Sequence, residues 1–361
     1  MSACTARDKS HWNGIYVPQL ARPTYYLQFS DNFLKRFLYK FVMTIGGVSK
    51  KEDVFVRQQY GRVGQHSVVK ICGWTKKHLR CGDNCYKHHF YGISTGQCLE
   101  MSPVLICNQR CKHCWRDQSL FNEVEEWDEP KEIIKGCIEE RRKLLMGFKG
   151  SEKTDLKEFK KCLVPKQAAI SLTGEPCLYP YLPELVSEFY LRGFESVFVV
   201  TNGTVPNMLR KLGRLSQGPT NVYLSIEWWD EESYTKFCKP LEKGQYARIL
   251  ESMEVLKELS SAGKVKTVLR ITSVVGWNMD KAQEMKWIVE RMRPDFIEVK
   301  GYMHVGYSKL RMERRMMPLH PEVVEFAAEL TKVIDYKVSG EQKESRVVLL
   351  ENESSSDSQQ S

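Results

Sequence analysis

From residue 104 onward the chain alternates between two kinds of stretch. Six short, largely apolar and β-branched runs stand at Val104–Cys107, Ala168–Thr173, Ser196–Thr201, Asn221–Glu227, Thr267–Val275 and Phe296–Lys300. Runs of this kind read as strands covered on both faces, the environment of a parallel sheet. Helical stretches lie between and after them, at about Glu126–Gly147, Leu182–Arg192, Pro206–Leu215, Gln245–Ala262, Asp280–Arg293 and Pro321–Ile334. Six β–α units with short links predict an α/β fold, a partial (open) TIM-like (βα)6 barrel. A doubly wound sheet has the same alternation. In either fold the site forms at the C-terminal ends of the strands and in the loops that follow.

Those ends carry distinctive residues. The second run ends Thr173-Gly174-Glu175-Pro176 and the third Thr201-Asn202-Gly203; the fourth holds Ser225 and Glu227, the sixth Glu298 and Lys300. Glycine lets backbone approach a ligand closely, and a carboxylate such as Glu175 accepts from an ammonium group. The first run leads into C-N-Q-R-C-K-H-C-W-R, in which Cys107, Cys111 and Cys114 are spaced by four and three. A cubic iron–sulfur cluster is usually held by four thiolates; three leave one iron open for chemistry. The alternative readings are buried core thiols or a zinc site, which needs a fourth ligand, His113 being the nearest. The C-x3-C-x2-C spacing followed by an aromatic, Trp115, resembles the radical S-adenosylmethionine enzymes. That resemblance implies a [4Fe-4S] cluster on Cys107, Cys111 and Cys114. It also implies S-adenosylmethionine cleaved to a 5′-deoxyadenosyl radical, with Gly174, Glu175, Pro176, Asn202 and Ser225 as candidate cofactor contacts.

Upstream, Tyr60–Phe90 sets Arg62, Lys70, Lys76, Lys77, Arg80 and Lys87 against Asp83 alone, and holds four of the eight histidines. Cys72, Cys85 and Cys98 are spaced by thirteen each, and together the two triads place six of the twelve cysteines within 43 residues. The sharp reading is a second three-cysteine iron–sulfur cluster; the alternative is zinc on Cys72, Cys81, Cys85 and a histidine. Twelve cysteines in a chain with no apolar signal core point to metal or redox use rather than a disulfide framework, and to a cytoplasmic location. No run of eighteen apolar residues exists, so no membrane span is expected. The formal charge of +9 favours a polyanionic partner.

The expected organisation is an N-terminal extension (1–54), a radical domain (55–351) and a disordered, Ser/Gln-rich tail (352–361). The radical domain divides into a second-cluster segment (55–100), a barrel core (101–335) and a C-terminal strand region (336–351). Within the extension, Asn32–Met43 fits an amphipathic helix. The basic stretch Lys309–Arg315 reads as a solvated face, with a phosphate grip as the other use.

Taken together, H-S-V-V-K-I-C-G-W-T-K-K (66–77), C-Y-K-H-H-F-Y-G-I (85–93), C-L-E-M-S-P (98–103), C-N-Q-R-C-K-H-C-W-R (107–116), T-G-E-P (173–176) and I-E-V-K-G (297–301) are similar to the tRNA 4-demethylwyosine synthases. The similarity runs from about Tyr60 to Glu351. It implies a radical carbon–carbon lyase that condenses N1-methylguanosine at position 37 of tRNA(Phe), beside the anticodon, with pyruvate. The product is the tricyclic base 4-demethylwyosine, the second step towards wybutosine. It implies a second [4Fe-4S] cluster on Cys72, Cys85 and Cys98, and gives Lys87 the place of the family's pyruvate-binding lysine. Neighbouring Lys and His residues are expected to favour its neutral amine. Many eukaryotic members carry an upstream FMN-binding domain. About 55 residues precede the similarity here, so FMN is not expected in this chain and a separate electron-donor protein is. Two other readings are a zinc-stabilised, non-catalytic RNA-binding module, and a radical enzyme with an auxiliary cluster and another substrate.

Overall fold

The structure, a computed structural model, describes residues 55, 57–118 and 124–352. The helix expected at Asn32–Met43, the rest of 1–54 and the tail from 353 lie outside the described residues.

Ten strands form one sheet. In chain order they are β1 (Tyr60–Val63), β2 (Ser67–Lys70), β3 (Cys98–Ser102), β4 (Gln167–Ile170), β5 (Ser196–Thr201), β6 (Asn221–Ile226), β7 (Lys266–Ser273), β8 (Phe296–Gly301), β9 (Tyr336–Gln342) and β10 (Val347–Asn352). The spatial order is β1-β2-β3-β4-β5-β6-β7-β8-β10-β9, so the sheet is open, with β1 and β9 as its ends. β3 to β8 are parallel to their neighbours. The hairpin β1–β2 joins β3 antiparallel, and β10 and β9 continue antiparallel from β8. This is the expected partial (βα)6 barrel.

Helices account for the parallel crossovers. α1 (Gly73–His78) and α2 (Tyr86–Tyr91) lie between β2 and β3. α3 (Pro130–Lys149) and α4 (Leu156–Cys162) follow β3; α5 (Leu182–Leu191) follows β4; α6 (Pro206–Gly213) follows β5. α7 (Glu231–Cys238) and α8 (Gln245–Ser261) follow β6, α9 (Ala282–Met292) follows β7, and α10 (His320–Thr331) follows β8. Their apolar stripes pack on the buried strands in one large core that includes Leu99, Ile134, Leu185, Leu224, Leu256, Leu269 and Ile288. A smaller apolar group joins Cys85 and Ile93 to Phe198, Tyr223 and Val268, which seats the α2 segment against β5, β6 and β7.

Two expectations are corrected. The first barrel strand is Cys98–Ser102, not Val104–Cys107. Pro103 follows it and has no N–H to continue the ladder, so 104–107 runs on as a loop. The tail does not begin at 352, because Asn352 is the last residue of β10.

Candidate active site

Cys107, Cys111 and Cys114 lie on the loop beyond β3, half-buried and unpaired by disulfide. Backbone holds this loop from several sides. Arg110 N donates to Lys239 O (3.1 Å) and Lys112 N to Phe237 O (3.0 Å), and Gln109 bridges antiparallel to Pro240. Continuing that register by two residues sets Cys111 opposite Cys238, which is buried. Arg311 donates to Lys112 O (3.3 Å) and to Cys114 O. Arg311 is therefore a strut of the cysteine loop rather than part of a solvated face.

The T-G-E-P and T-N-G ends form a bracket. Gly174 has φ +67°, and a Cβ there would stand 2.8 Å from Ile106 O and closer still to Val104 O, so only glycine fits. Glu175 N donates to Ile106 O (2.8 Å), tying this turn to the loop just ahead of Cys107. The Glu175 side chain is 2% exposed. Its carboxylate accepts from Thr201 Oγ1 (2.6 Å), Asn202 N (2.7 Å) and Cys177 N (3.0 Å). Burial raises its carboxyl, and these donors oppose the shift. These contacts join the two strand ends through Glu175. Asn202 donates to Asn108 Oδ1 (3.0 Å) and reaches to 3.9 Å from Cys107 Sγ. Pro176 opens a short 3-10 turn, and Ser225 is half-buried opposite Arg270 in the β6–β7 register.

The second triad is built at element ends. Cys72 caps α1, its sulfur accepting from Thr75 N at 3.3 Å; Cys85 caps α2; Cys98 begins β3. Thr95 Oγ1 lies 3.5 Å from Cys85 Sγ. Burial and the neighbouring Cys72 thiol push Cys98 well up. Behind the triad Arg141 of α3 is 1% exposed and donates to Cys98 O (3.3 Å), Gly96 O (2.6 Å) and Cys162 O. Cys81, by contrast, is exposed in a left-handed turn (φ 58°).

Lys87 is 8% exposed on α2, with its amine 4.6 Å from the Phe198 ring centroid and 5.1 Å from that of Tyr223. Burial first, and then the Arg270 guanidinium, lower its pKa; the expected contribution of neighbouring histidines is not the cause. Arg270 donates to Glu298 Oε2 from Nε (3.1 Å) and Nη2 (2.6 Å), and to Tyr86 OH (2.8 Å). Tyr91 and Tyr223 donate to Glu298 Oε1 at 2.9 and 3.0 Å. Burial would raise the Glu298 carboxyl, but Arg270 and Lys87 hold it below the usual range.

The donor sets fit iron–sulfur ligation. Burial pushes Cys107 and Cys114 up; Cys111 is pushed up by its hydrogen bond with Cys238 and then by burial. A metal that binds such thiols holds them as thiolates. Among the described residues no group of three or more His, Cys, Asp or Glu converges tightly enough for one metal ion. A cluster's thiolates bind different irons and need not meet at one point. His113 stacks on Phe237 (5.5 Å, 14°) with Nε2 3.4 Å from Glu227.

An open (βα)6 barrel with a three-cysteine loop after its first parallel strand defines a radical S-adenosylmethionine enzyme. The family described as Radical SAM superfamily matches residues 101–287, and Wyosine base formation matches 291–352. The chain is 43% identical over 303 residues to the S-adenosyl-L-methionine-dependent tRNA 4-demethylwyosine synthase of Pyrococcus abyssi, covering 82% of this chain and 87% of that one. The protein of the same name from Methanocaldococcus jannaschii is 37% identical, with coverage of 84% and 96%. A solved structure described as TYW1 with a lysine-pyruvate adduct bound superposes with a TM-score of 0.76 at 35% identity, over 85% of this chain and 96% of that one. The chain belongs to the tRNA 4-demethylwyosine synthase family. Membership implies a four-iron cluster and S-adenosylmethionine. Among the described residues no helix is long and apolar enough to cross a membrane.

Proposed function

We propose that this chain converts N1-methylguanosine at position 37 of tRNA(Phe), with pyruvate, into 4-demethylwyosine. The observation that carries the reading is Lys87. Its buried amine lies against Phe198 and Tyr223, two residues from Cys85, in a chain 35% identical to a protein solved with a lysine-pyruvate adduct. Cys107, Cys111 and Cys114 hold the radical cluster, and Cys72, Cys85 and Cys98 a second four-iron cluster. When bound, the first cluster and S-adenosylmethionine supply a 5′-deoxyadenosyl radical able to take hydrogen from the methyl group of the base.

The chain's own residues do the rest. In its neutral form the Lys87 amine attacks the C2 carbonyl of pyruvate, and water leaves. The bracket of Gly174, Glu175 and Asn202 fixes the cysteine loop and, with Pro176 and Ser225, borders the S-adenosylmethionine site. Lys112 of the loop and Lys236 of α7 each stand 5.7 Å from the Trp277 ring. Burial and repulsion from Lys239 and Lys236 lower the Lys112 amine, so cations are crowded there. Such a patch suits the phosphates of an anticodon loop, whose bases are already single-stranded and stack on aromatics. A separate protein donates the electron.

The test uses anaerobically reconstituted enzyme with methylated tRNA, pyruvate, S-adenosylmethionine and a chemical reductant. Nucleoside mass spectrometry should find 4-demethylwyosine with the parent. Lys87→Ala should form none while still cleaving S-adenosylmethionine. Full product formation by Lys87→Ala would overturn the role of the amine.

A further inference from the structure

Beyond the amine that engages the ketone, a second, half-buried lysine nearby has no assigned task. Lys300 lies on β8 two residues after Glu298, so both side chains leave the strand on one face. Its Nζ is 4.4 Å from the ring centroid of Tyr86, the residue preceding Lys87 and the one whose hydroxyl accepts from Arg270. Lys87 and Arg270 in turn share the Tyr223 ring, at 5.1 and 4.6 Å.

We propose that Lys300 recognises the carboxylate of the 2-oxo acid whose ketone Lys87 engages. The inference rests on the function proposed above. Three cations, Lys87, Arg270 and Lys300, face one buried carboxylate, Glu298. Glu298 is spoken for by Arg270, Tyr91 and Tyr223, and Arg270 by Glu298 and Tyr86. Lys300 donates to Ser345 O (3.2 Å), and among the described residues no carboxylate lies within ion-pair distance of it.

Lys300 is half-buried, and an ammonium drawn partly out of water with no carboxylate beside it is disfavoured. Burial and the nearby Arg270 accordingly lower Lys300 to about 8. A ligand carboxylate supplies the missing charge. Pyruvate presents a carboxylate and a ketone on adjacent carbons. The Ser345 carbonyl, accepting from Lys300, favours the charged form there. Arg270 has its fork committed to Glu298 and is the weaker candidate for the ligand.

The experiment traps the lysine adduct on the reconstituted holoenzyme with cyanoborohydride and reads occupancy by intact mass and peptide mapping. Pyruvate is compared with its uncharged analogue methyl pyruvate in the parent, Lys300→Met, Lys300→Arg and Lys87→Ala. Losing one charge-assisted contact should raise the half-saturating pyruvate concentration about ten- to a hundredfold in Lys300→Met. The ester should be trapped equally by both proteins, and Lys300→Arg should keep the preference for the acid. Unchanged pyruvate saturation in Lys300→Met would overturn the proposal. So would a parent that traps acid and ester at equal concentrations, a comparison that needs no variant. An adduct that persists in Lys87→Ala, or maps to another lysine, would instead sink the reading of Lys87 on which the inference rests.

Discussion

Replacing Gly174 with alanine tests whether the T-G-E-P turn holds the cysteine loop. Two costs combine at this position. At φ +67° an alanine takes a left-handed conformation, which costs about 1–2 kcal/mol. Its Cβ also meets Ile106 O at 2.8 Å, with Val104 O nearer still, and both are backbone atoms that yield only if the loop moves. Forcing extra carbon into a packed site costs about 1–3 kcal/mol more, for a total of about 2–5 kcal/mol. Gly193 provides the control: it has φ +79° with nothing within 4 Å of a Cβ, so Gly193→Ala bears only the conformational cost. Thermal unfolding of both variants should separate them by several degrees, at about 2–4 °C per kcal/mol for a domain of this order. Iron retained after anaerobic reconstitution should fall in Gly174→Ala and not in Gly193→Ala, because only the former displaces residues 104–106, just ahead of Cys107. Equal melting temperatures and equal iron in the two variants would refute the bracket.

Arg141→Leu should leave buried carbonyls at Cys98, Gly96 and Cys162 without their donor, at about 1–3 kcal/mol each. Reduced melting temperature and iron loss that Cys98→Ala does not deepen would place the damage at the second triad. In the metal-free protein, hydrogen peroxide should take two electrons from Cys111 and Cys238 and be reduced to water, joining the facing thiols; non-reducing peptide mapping should find that pair in the parent, and a different pairing would contradict the register. Asp295 accepts from Lys266, Ser260 and Thr267. Burial pushes its carboxyl up but these donors prevail, holding it below its ordinary value. Its stabilisation is therefore present above that ordinary value and is lost as pH falls through the lower folded one. Asp295→Asn should flatten the acid limb of melting temperature against pH between about 5 and 2.

The barrel was readable because parallel strands are buried on both faces: Ser196–Thr201 and Asn221–Ile226 are largely apolar and buried nearly throughout. Val104–Cys107 imitated a strand, but Pro103 separates it from the ladder. β9 was not readable, since Y-K-V-S-G-E-Q is mostly exposed and carries no pattern that marks a sheet edge. Both cysteine triads were visible as spacings, whereas Cys238 was not, because its proximity to Cys111 depends on a loop pairing across more than a hundred residues. Arg141 left a trace: it stands at helical spacing with Ile134, Cys137 and Leu145, an arginine on an apolar stripe. Arg270 and Glu298 left another, as opposite charges in neighbouring strands that pair in register. The hydrogen bonds of Glu175 to Thr201 and Asn202 were not readable, because a strand-end carboxylate looks alike in sequence whatever it meets.

Iron and sulfide counting after anaerobic reconstitution, on the parent and on Cys85→Ala, tests the two-cluster account most directly. The account predicts about eight irons in the parent, for two four-iron cubanes, and about four in the variant. About four irons in both proteins would contradict it.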